Sequence, residues 1–201
     1  MDSVTYEILI WKHIQSEKVA DYKYLLNELL GLGYEILSVT IDGKRGVSNV
    51  FKNYPVQMCH FHQKRIVQRY ITLNPKLEAS QKLKKIMSRL KYSEEVRFTK
   101  TLDIWHLQYR NFLNEITVHP ESGKESFTHK KLVAAHRSIR KNLPLLFTYK
   151  NHKELLIPNT TNLIEGGVFS PLKILIKIHR GLSKSLKLKI VDDYFINYRK
   201  K

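Results

Sequence analysis

The chain has 201 residues, with 35 lysines and arginines against 18 aspartates and glutamates, which gives a formal net charge of +17. Apolar residues make up 42% of it, a share that excludes an intrinsically disordered chain and indicates a folded core. No apolar run approaches the length of about 18 residues that a membrane helix needs, so no membrane partner is expected. The single cysteine, Cys59, allows no internal disulfide and favours a reducing, cytoplasmic location.

The excess of positive charge predicts a polyanionic partner, of which nucleic acid is the commonest. A ribosome-associated protein, or one that is merely rich in lysine, would show the same excess. Lysine is especially dense in residues 173–201, where it either forms a solvated face or follows a phosphate backbone. Charge alone therefore indicates nucleic-acid binding without indicating any chemistry.

The first part of the chain alternates between strand and helix patterns. Residues 4–11 alternate with period two, which predicts a strand, and apolar residues spaced three or four apart after Ser16 predict a helix. The segment EILSVTID predicts a strand buried on both faces. Residues 47–54 predict a short helix, and VQMC predicts a second buried strand. This order of elements indicates an α/β arrangement.

From about residue 62 to about residue 145 the periodicity is helical, and HPESGKES is predicted to be a loop. The clearest apolar stripe, expected in a core rather than stacked on bases, is Phe98, Leu102, Trp105, Tyr109, Phe112 and Ile116. We expect an all-helical insertion of residues 63–150 between two parts of one α/β core, residues 1–62 and 151–201. The last part is predicted to hold a loop and then two helices interrupted near Gly181.

Two acidic residues, each followed by glycine, stand in basic surroundings. Asp42 ends the strand of TIDGKRG, where carboxylates of open α/β sheets commonly lie at functional crevices; a simple Asp-Gly turn is the alternative. Glu165, in TTNLIEGG, either caps a helix together with Asn162 or holds a metal ion. The predicted insertion fills the interval between them and would return the chain to the same sheet. Two carboxylates sharing Mg²⁺ support an in-line displacement at phosphorus.

The segment CHFH places Cys59 and His62 at the C-x-x-H spacing of half a zinc site. A second pair of ligands is not evident in the sequence, which argues against a closed structural zinc site. The alternative is that Cys59 is a small buried residue at a strand end and that His62 opens the next helix.

Three blocks, TIDGKRG, CHFHQKRIVQRY and IPNTTNLIEGGVFSPLK, followed by HRGL, resemble the transposases of bacterial insertion sequences of the Mutator-like class. The resemblance covers about residues 11–192, and the blocks occur in the family's order and spacing. It implies a partial RNase H-like mixed sheet with an all-helical insertion. It also implies a DDE acidic triad that uses a divalent metal, Mg²⁺ or Mn²⁺, to cut and join DNA.

Residue by residue, Asp42 matches the family's second aspartate, Cys59 and His62 match its C-x-x-H motif, and Glu165 matches its glutamate. The family's first aspartate has no match here, so the resemblance implies an N-terminally truncated transposase, either a gene remnant or the downstream part of a split reading frame. With two of three carboxylates, metal binding should weaken and the chemistry should largely fail.

The resemblance implies double-stranded DNA as the partner, both the ends of the element and its target, in a nucleoid-associated protein. The candidate DNA-binding residues are Lys44, Arg45, Lys173, Lys177, His179 and Arg180. Self-association into a homo-oligomer is also expected, because the missing strands would expose a sheet edge. The alternative is a non-enzymatic, basic DNA-binding protein derived from a transposase.

Overall fold

The computed structural model describes residues 1–198 of the chain. It is a mixed α/β structure, largely helical, with two small sheets of two strands each. None of the helices in the described residues is long and apolar enough to cross a membrane.

The chain divides into two compact units. One consists of residues 1–57 together with the chain from Tyr149 onward, and the other is the continuous stretch 58–148. The sequence predicts an insertion of residues 63–150, which stays a prediction. The candidate carboxylates Asp42 and Glu165 both belong to the first unit.

The early elements alternate between helix and strand, as the sequence predicts. They are α1 (Val19–Gly31), β1 (Val39–Ile41), α2 (Val47–Val50) and β2 (Val56–Met58). Strands β1 and β2 form one sheet. The Val39 N–H, in β1, donates at 2.9 Å to the carbonyl of Pro55, the residue before β2. All three residues of β2 are buried, which confirms the prediction of a buried strand in VQMC.

The predicted strand of residues 4–11 is wrong. The chain instead turns on Asp2, whose carboxylate accepts hydrogen bonds of 2.7 Å from the N–H groups of Val4 and Thr5. Tyr6 adopts a positive φ of 62°, which interrupts an extended conformation. A strand needs a neighbour for its backbone groups. The side chain of Trp11 instead donates to the carboxylate of Asp192 at 2.7 Å.

The strand predicted in EILSVTID is present but short, and it is not buried on both faces. Only Val39–Ile41 is regular, and of these only Ile41 is buried. Leu37 is 56% exposed. Residues 35–38 of this segment lie outside the paired strand.

The second unit is built mainly from helices. They are α3 (His60–Ile71), α4 (Glu78–Ser88), α5 (Glu95–Gln108), α6 (Arg110–Leu113) and α7 (Lys130–Leu146). The first half of the predicted apolar stripe is core, because Phe98, Leu102 and Trp105 are at most 3% exposed. The Trp105 indole N–H donates to the Ala79 carbonyl at 2.9 Å, which joins α5 to the start of α4. Ile116, at the end of the stripe, is exposed.

The prediction that this stretch is all-helical is wrong, because it contains a β-hairpin. Strands β3 (Ile116–Val118) and β4 (Glu125–Phe127) pair antiparallel, with Ile116 opposite Phe127. The predicted loop HPESGKES connects them and supplies the first residues of β4. Gly123 adopts a positive φ of 62° in the turn, a conformation that glycine tolerates without strain.

After α7 the described residues contain a short helix, a 3₁₀ turn (Lys153–Leu155), a π-helical segment and two longer helices. The others are α8 (Thr148–Asn151), the π-helical segment Leu163–Phe169, α9 (Ser170–Ile178) and α10 (Lys184–Ile196). The predicted interruption near Gly181 separates α9 from α10, and Ser183 caps α10 by accepting from the Leu186 N–H at 3.3 Å. Residues 199–201, the end of the predicted basic tail, lie outside the described residues.

Candidate functional site

Asp42 lies directly after β1, at the end of the strand where the sequence places it, and its side chain is exposed. Its carboxylate accepts a hydrogen bond of 3.0 Å from the Lys44 N–H. Gly43 between them has a φ of 88°, which an L-residue with a side chain rarely adopts. Asp42 therefore both follows the end of the strand and begins an Asp-Gly turn. This turn fixes its carboxylate at the surface.

A small polar cluster lies beside this turn. Lys44 forms a 3.1 Å ion pair with Glu17, and the Tyr22 hydroxyl donates to the same carboxylate. Burial, and then the hydrogen bond to Glu17, raise the pKa of Tyr22 far above its usual value, and the charge of Asp42 adds to the effect. The ammonium group of Lys44, which is predicted to contact phosphate, is thus already paired with Glu17. Arg45, the next predicted contact, is exposed. Nothing in the local sequence pattern singles out Glu17 or Tyr22.

Glu165 lies half-buried in the π-helical segment. Its carboxylate accepts a hydrogen bond of 3.0 Å from the Thr161 hydroxyl, and its N–H donates to the Thr161 carbonyl at 3.1 Å. The Asn162 side chain accepts no capping hydrogen bond at this helix start, and its N–H donates to the Thr160 hydroxyl at 2.8 Å. A capping box would also need the Asn162 side chain to accept a hydrogen bond from the helix backbone. That hydrogen bond is missing, which argues against the capping-box interpretation of Glu165. The space beside Gly166 is open, because apart from its chain neighbours and the backbone of its own helix no atom lies within 4 Å of where a Cβ would be.

One hydrogen bond joins the segments that carry the two carboxylates. The Thr40 hydroxyl, in β1, donates to the Pro158 carbonyl at 2.9 Å. Pro158 begins the PNTTN stretch that leads to Glu165, and its neighbour Ile157 is buried. The chain therefore returns to β1 just before it enters the π-helical segment.

Within residues 1–198 no group of three or more histidine, cysteine, aspartate or glutamate side chains is placed to hold a metal ion. The oxygen donors of Asp42 and Glu165 nevertheless suit Mg²⁺ or Mn²⁺, because magnesium is commonly held by one or two carboxylates and completes its shell with water and substrate oxygens. The chemistry of the donors fits such an ion, whereas a closed set of three protein ligands is not formed in the described chain.

Cys59 and His62 occupy the positions that the sequence predicts, in surroundings that suit a structural role. Cys59 follows β2, is fully buried and precedes the first residue of α3. His62 is half-buried in the first turn of α3, with its ring edge-on to Phe61 at 5.8 Å between centroids. The described residues supply no third ligand to complete a zinc site.

The predicted basic residues at the end of the chain lie on and just after α9. Lys173 and Lys177 are one helical turn apart and exposed, and His179 and Arg180 follow, also exposed. Between α9 and α10 lies a shallow groove of about 440 Å³, whose lining includes His179, Lys189 and the carboxylate of Asp193 as well as apolar side chains. These cations are therefore open to a polyanion.

No protein-family model matches the chain, and no match to it is found among the curated proteins or the solved structures. What the fold itself establishes is a mixed α/β protein with two small sheets. Its function must be inferred from the residues and contacts described above.

Proposed function

We propose that the chain derives from a DDE-type transposase with an RNase H-like core, that it binds double-stranded DNA, and that Asp42 and Glu165 are two carboxylates of its divalent-metal centre. The observation that carries this proposal is the 2.9 Å hydrogen bond from Thr40 to Pro158. It joins β1, which Asp42 directly follows, to the segment that leads to Glu165. The two acids are 123 residues apart in sequence, 165 less 42, so local structure alone would not relate them.

The roles of the chain's own residues follow from their positions. Asp42 and Glu165 would hold Mg²⁺ or Mn²⁺, and such an ion, when bound, supplies charge that favours the attacking and leaving oxygens of an in-line displacement at phosphorus. Thr161 orients Glu165 through its 3.0 Å hydrogen bond. The Lys44 N–H orients Asp42 in the same way at 3.0 Å.

The π-helical segment adds support. Such segments are rare in proteins, and those that occur are often found at functional sites. Here it carries Glu165 together with Gly166, beside which the space is open. Phosphate contacts are assigned to the exposed cations Arg45, Lys173, Lys177, His179 and Arg180. A DNA-binding surface of this kind would place the protein on the bacterial nucleoid.

The test is nicking of supercoiled plasmid in the presence of Mn²⁺. Asp42→Asn and Glu165→Gln each remove one charged ligand with little change in size. Both variants should lose nicking while their DNA affinity stays equal or rises slightly, because a negative charge has been removed. Glu121→Gln, an exposed carboxylate in the hairpin loop, is the matched control and should nick like the unaltered chain. Nicking that survives in both carboxylate variants would exclude these residues from the centre.

The second candidate is a DNA-binding protein of transposase origin without catalysis. It is favoured by the lack of a three-ligand metal group in residues 1–198 together with the charge of +17. It predicts that the unaltered chain and both variants bind plasmid at low salt and that none of them nicks it. The same assay therefore separates the two candidates.

A further inference from the structure

A basic cavity lies within the compact unit of residues 58–148. Its volume is about 500 Å³, and it is lined by the end of α3, the loop of residues 72–77, the start of α4 and the start of α7. Among the described residues that line it are four basic side chains and no aspartate or glutamate; the basic ones are Lys76, His129, Lys130 and Lys131. The cavity is therefore suited to an anion.

Helix α7 begins at this cavity with an arrangement opposite to the usual one. Its first turn contains no acidic residue and begins with two lysines, and the His129 side chain does not cap it. The first backbone bond of the helix runs from the Val133 N–H to the His129 carbonyl at 3.0 Å. The preceding N–H groups, of residues 130–132, have no acceptor among the described residues. They and the positive end of the helix dipole favour a bound anion.

Ser80 supplies an independent observation that points to a ligand. Its side chain lines the cavity and the residue is only 5% exposed. Its hydroxyl has no hydrogen-bond partner among the described residues. This oxygen is not one of the enclosed unpartnered polar atoms of the described residues, so it is accessible to a ligand. A ligand oxygen in the cavity would satisfy this hydroxyl.

The surroundings keep the cavity open and positively charged. Glu115 lies nearby, and its carboxylate is paired with His129 at 2.9 Å. Glu78, at the start of α4, is paired with Lys82 at 2.8 Å. The loop is held from below, because Lys84 donates to the Leu73 carbonyl at 2.5 Å.

We propose that this cavity binds a phosphate group. Phosphate offers several acceptor oxygens to the N–H groups at the start of α7, to the Ser80 hydroxyl and to the ammonium groups of Lys76, Lys130 and Lys131. The site uses none of the residues assigned to the metal centre, and it stands or falls independently of that proposal. The phosphate belongs either to a nucleic-acid backbone or to a free phosphate or small phosphorylated molecule.

The experiment uses the full chain and titrates inorganic phosphate at constant ionic strength, with binding followed by ³¹P NMR line width and by the unfolding temperature. Lys130→Gln/Lys131→Gln and Ser80→Ala test the site. Lys100→Gln/Lys141→Gln removes the same charge from exposed positions of the same unit and is the control. Saturable binding to the unaltered chain should weaken about tenfold in the double variant and measurably in Ser80→Ala, and persist in the control.

A response that does not saturate, or that is the same in the double variant and its control, would overturn the proposal. Unfolding curves without phosphate check that every variant is folded. A short DNA duplex then identifies the source of the phosphate. If the duplex displaces phosphate and its own affinity falls in the double variant, the ligand is a nucleic-acid backbone; if phosphate stays bound in excess duplex, the ligand is a free phosphate or phosphorylated small molecule.

Discussion

The Thr40 hydroxyl donates a hydrogen bond of 2.9 Å to the carbonyl of Pro158, across 118 residues of sequence. The whole compact unit of residues 58–148 lies in that interval. Within the first unit, which the chain re-enters at Tyr149, the contact joins β1 to the segment that leads to Glu165. The stability of this contact is therefore linked to the geometry of the proposed carboxylate pair.

Thr40→Val should lower the free energy of unfolding by about 1 kcal/mol, because the Pro158 carbonyl loses its donor in a half-buried setting. Valine has the same shape as threonine, so the change isolates the hydrogen bond. Thr40→Ser keeps the hydroxyl and should retain most of the stability. Urea unfolding measures both, and a loss in Thr40→Ser without one in Thr40→Val would show that the methyl group matters rather than the bond.

Leu102→Ala should destabilise the second unit by about 2–5 kcal/mol, because it leaves a cavity in a fully buried position of α5. Leu107, on the same helix, is 73% exposed, and Leu107→Ala should change stability by less than about 0.5 kcal/mol. Thermal unfolding of both variants provides the comparison. A similar loss in both would mean that the two sites do not differ in burial as described.

Helices were predictable wherever an apolar face repeats within the element itself. The stripe that runs through Phe98, Leu102 and Trp105 is buried as predicted, because a helix places residues three and four apart on one side. The helix predicted after Ser16 likewise forms, as α1. Such patterns are local, so a single sequence contains them in full.

Strands and contacts between distant segments were not predictable in the same way. Residues 4–11 alternate as a strand does, yet the carboxylate of Asp2 turns the chain and no strand forms there. The hairpin of β3 and β4 is too short, at three residues a strand, to give a periodic signal. In the candidate site the positions of Asp42 and Glu165 on their elements were predicted, whereas the role of Thr40 depends on a partner far away in sequence.

Lys173→Gln/Lys177→Gln should weaken duplex DNA binding and lower the slope of log affinity against log salt by about 2, because each of the two lysines is assigned to one phosphate. The physical reason is that a lysine bound to a phosphate releases condensed counterions from the DNA. Lys23→Gln/Lys52→Gln removes two exposed lysines from other elements of the first unit and is the charge-matched control. Fluorescence anisotropy at several salt concentrations gives the slopes; identical slopes for both double variants would show that net charge alone governs binding.

The Cys59 thiol should resist labelling by a thiol reagent in the native protein, because the residue is fully buried at the start of α3. Labelling should become fast only in denaturant, with a midpoint equal to that of global unfolding measured by circular dichroism. Added Zn²⁺ should leave that midpoint unchanged, since the described residues supply no third ligand beside Cys59 and His62. Protection that rises with Zn²⁺ and disappears in His62→Ala would instead restore the zinc interpretation.

His136 is the residue of the second unit whose environment most clearly predicts a dependence of stability on pH. It is buried in α7, its ring stacks on His106 at 4.5 Å, and the Arg140 side chain donates to its Nε2 at 3.2 Å. Burial, followed by the charges of His106 and Arg140, lowers the pKa of His136 to about 4. Asp103, which is paired with Arg140, acts in the opposite direction, and Arg137 adds to the lowering.

The folded protein therefore keeps His136 neutral down to about pH 4, whereas the unfolded chain takes up the proton near the ordinary histidine pKa of about 6.5. Between these values the unfolded state binds more protons, so the free energy of unfolding should rise with pH from about 4 to about 6.5. His136→Gln keeps an acceptor for Arg140 and cannot titrate, so it should flatten this rise even if it lowers stability at every pH. His119→Gln, at an exposed histidine of the hairpin, should leave the rise intact. Urea midpoints across this range measure the slope, and an unchanged slope in His136→Gln would assign the pH dependence to other groups.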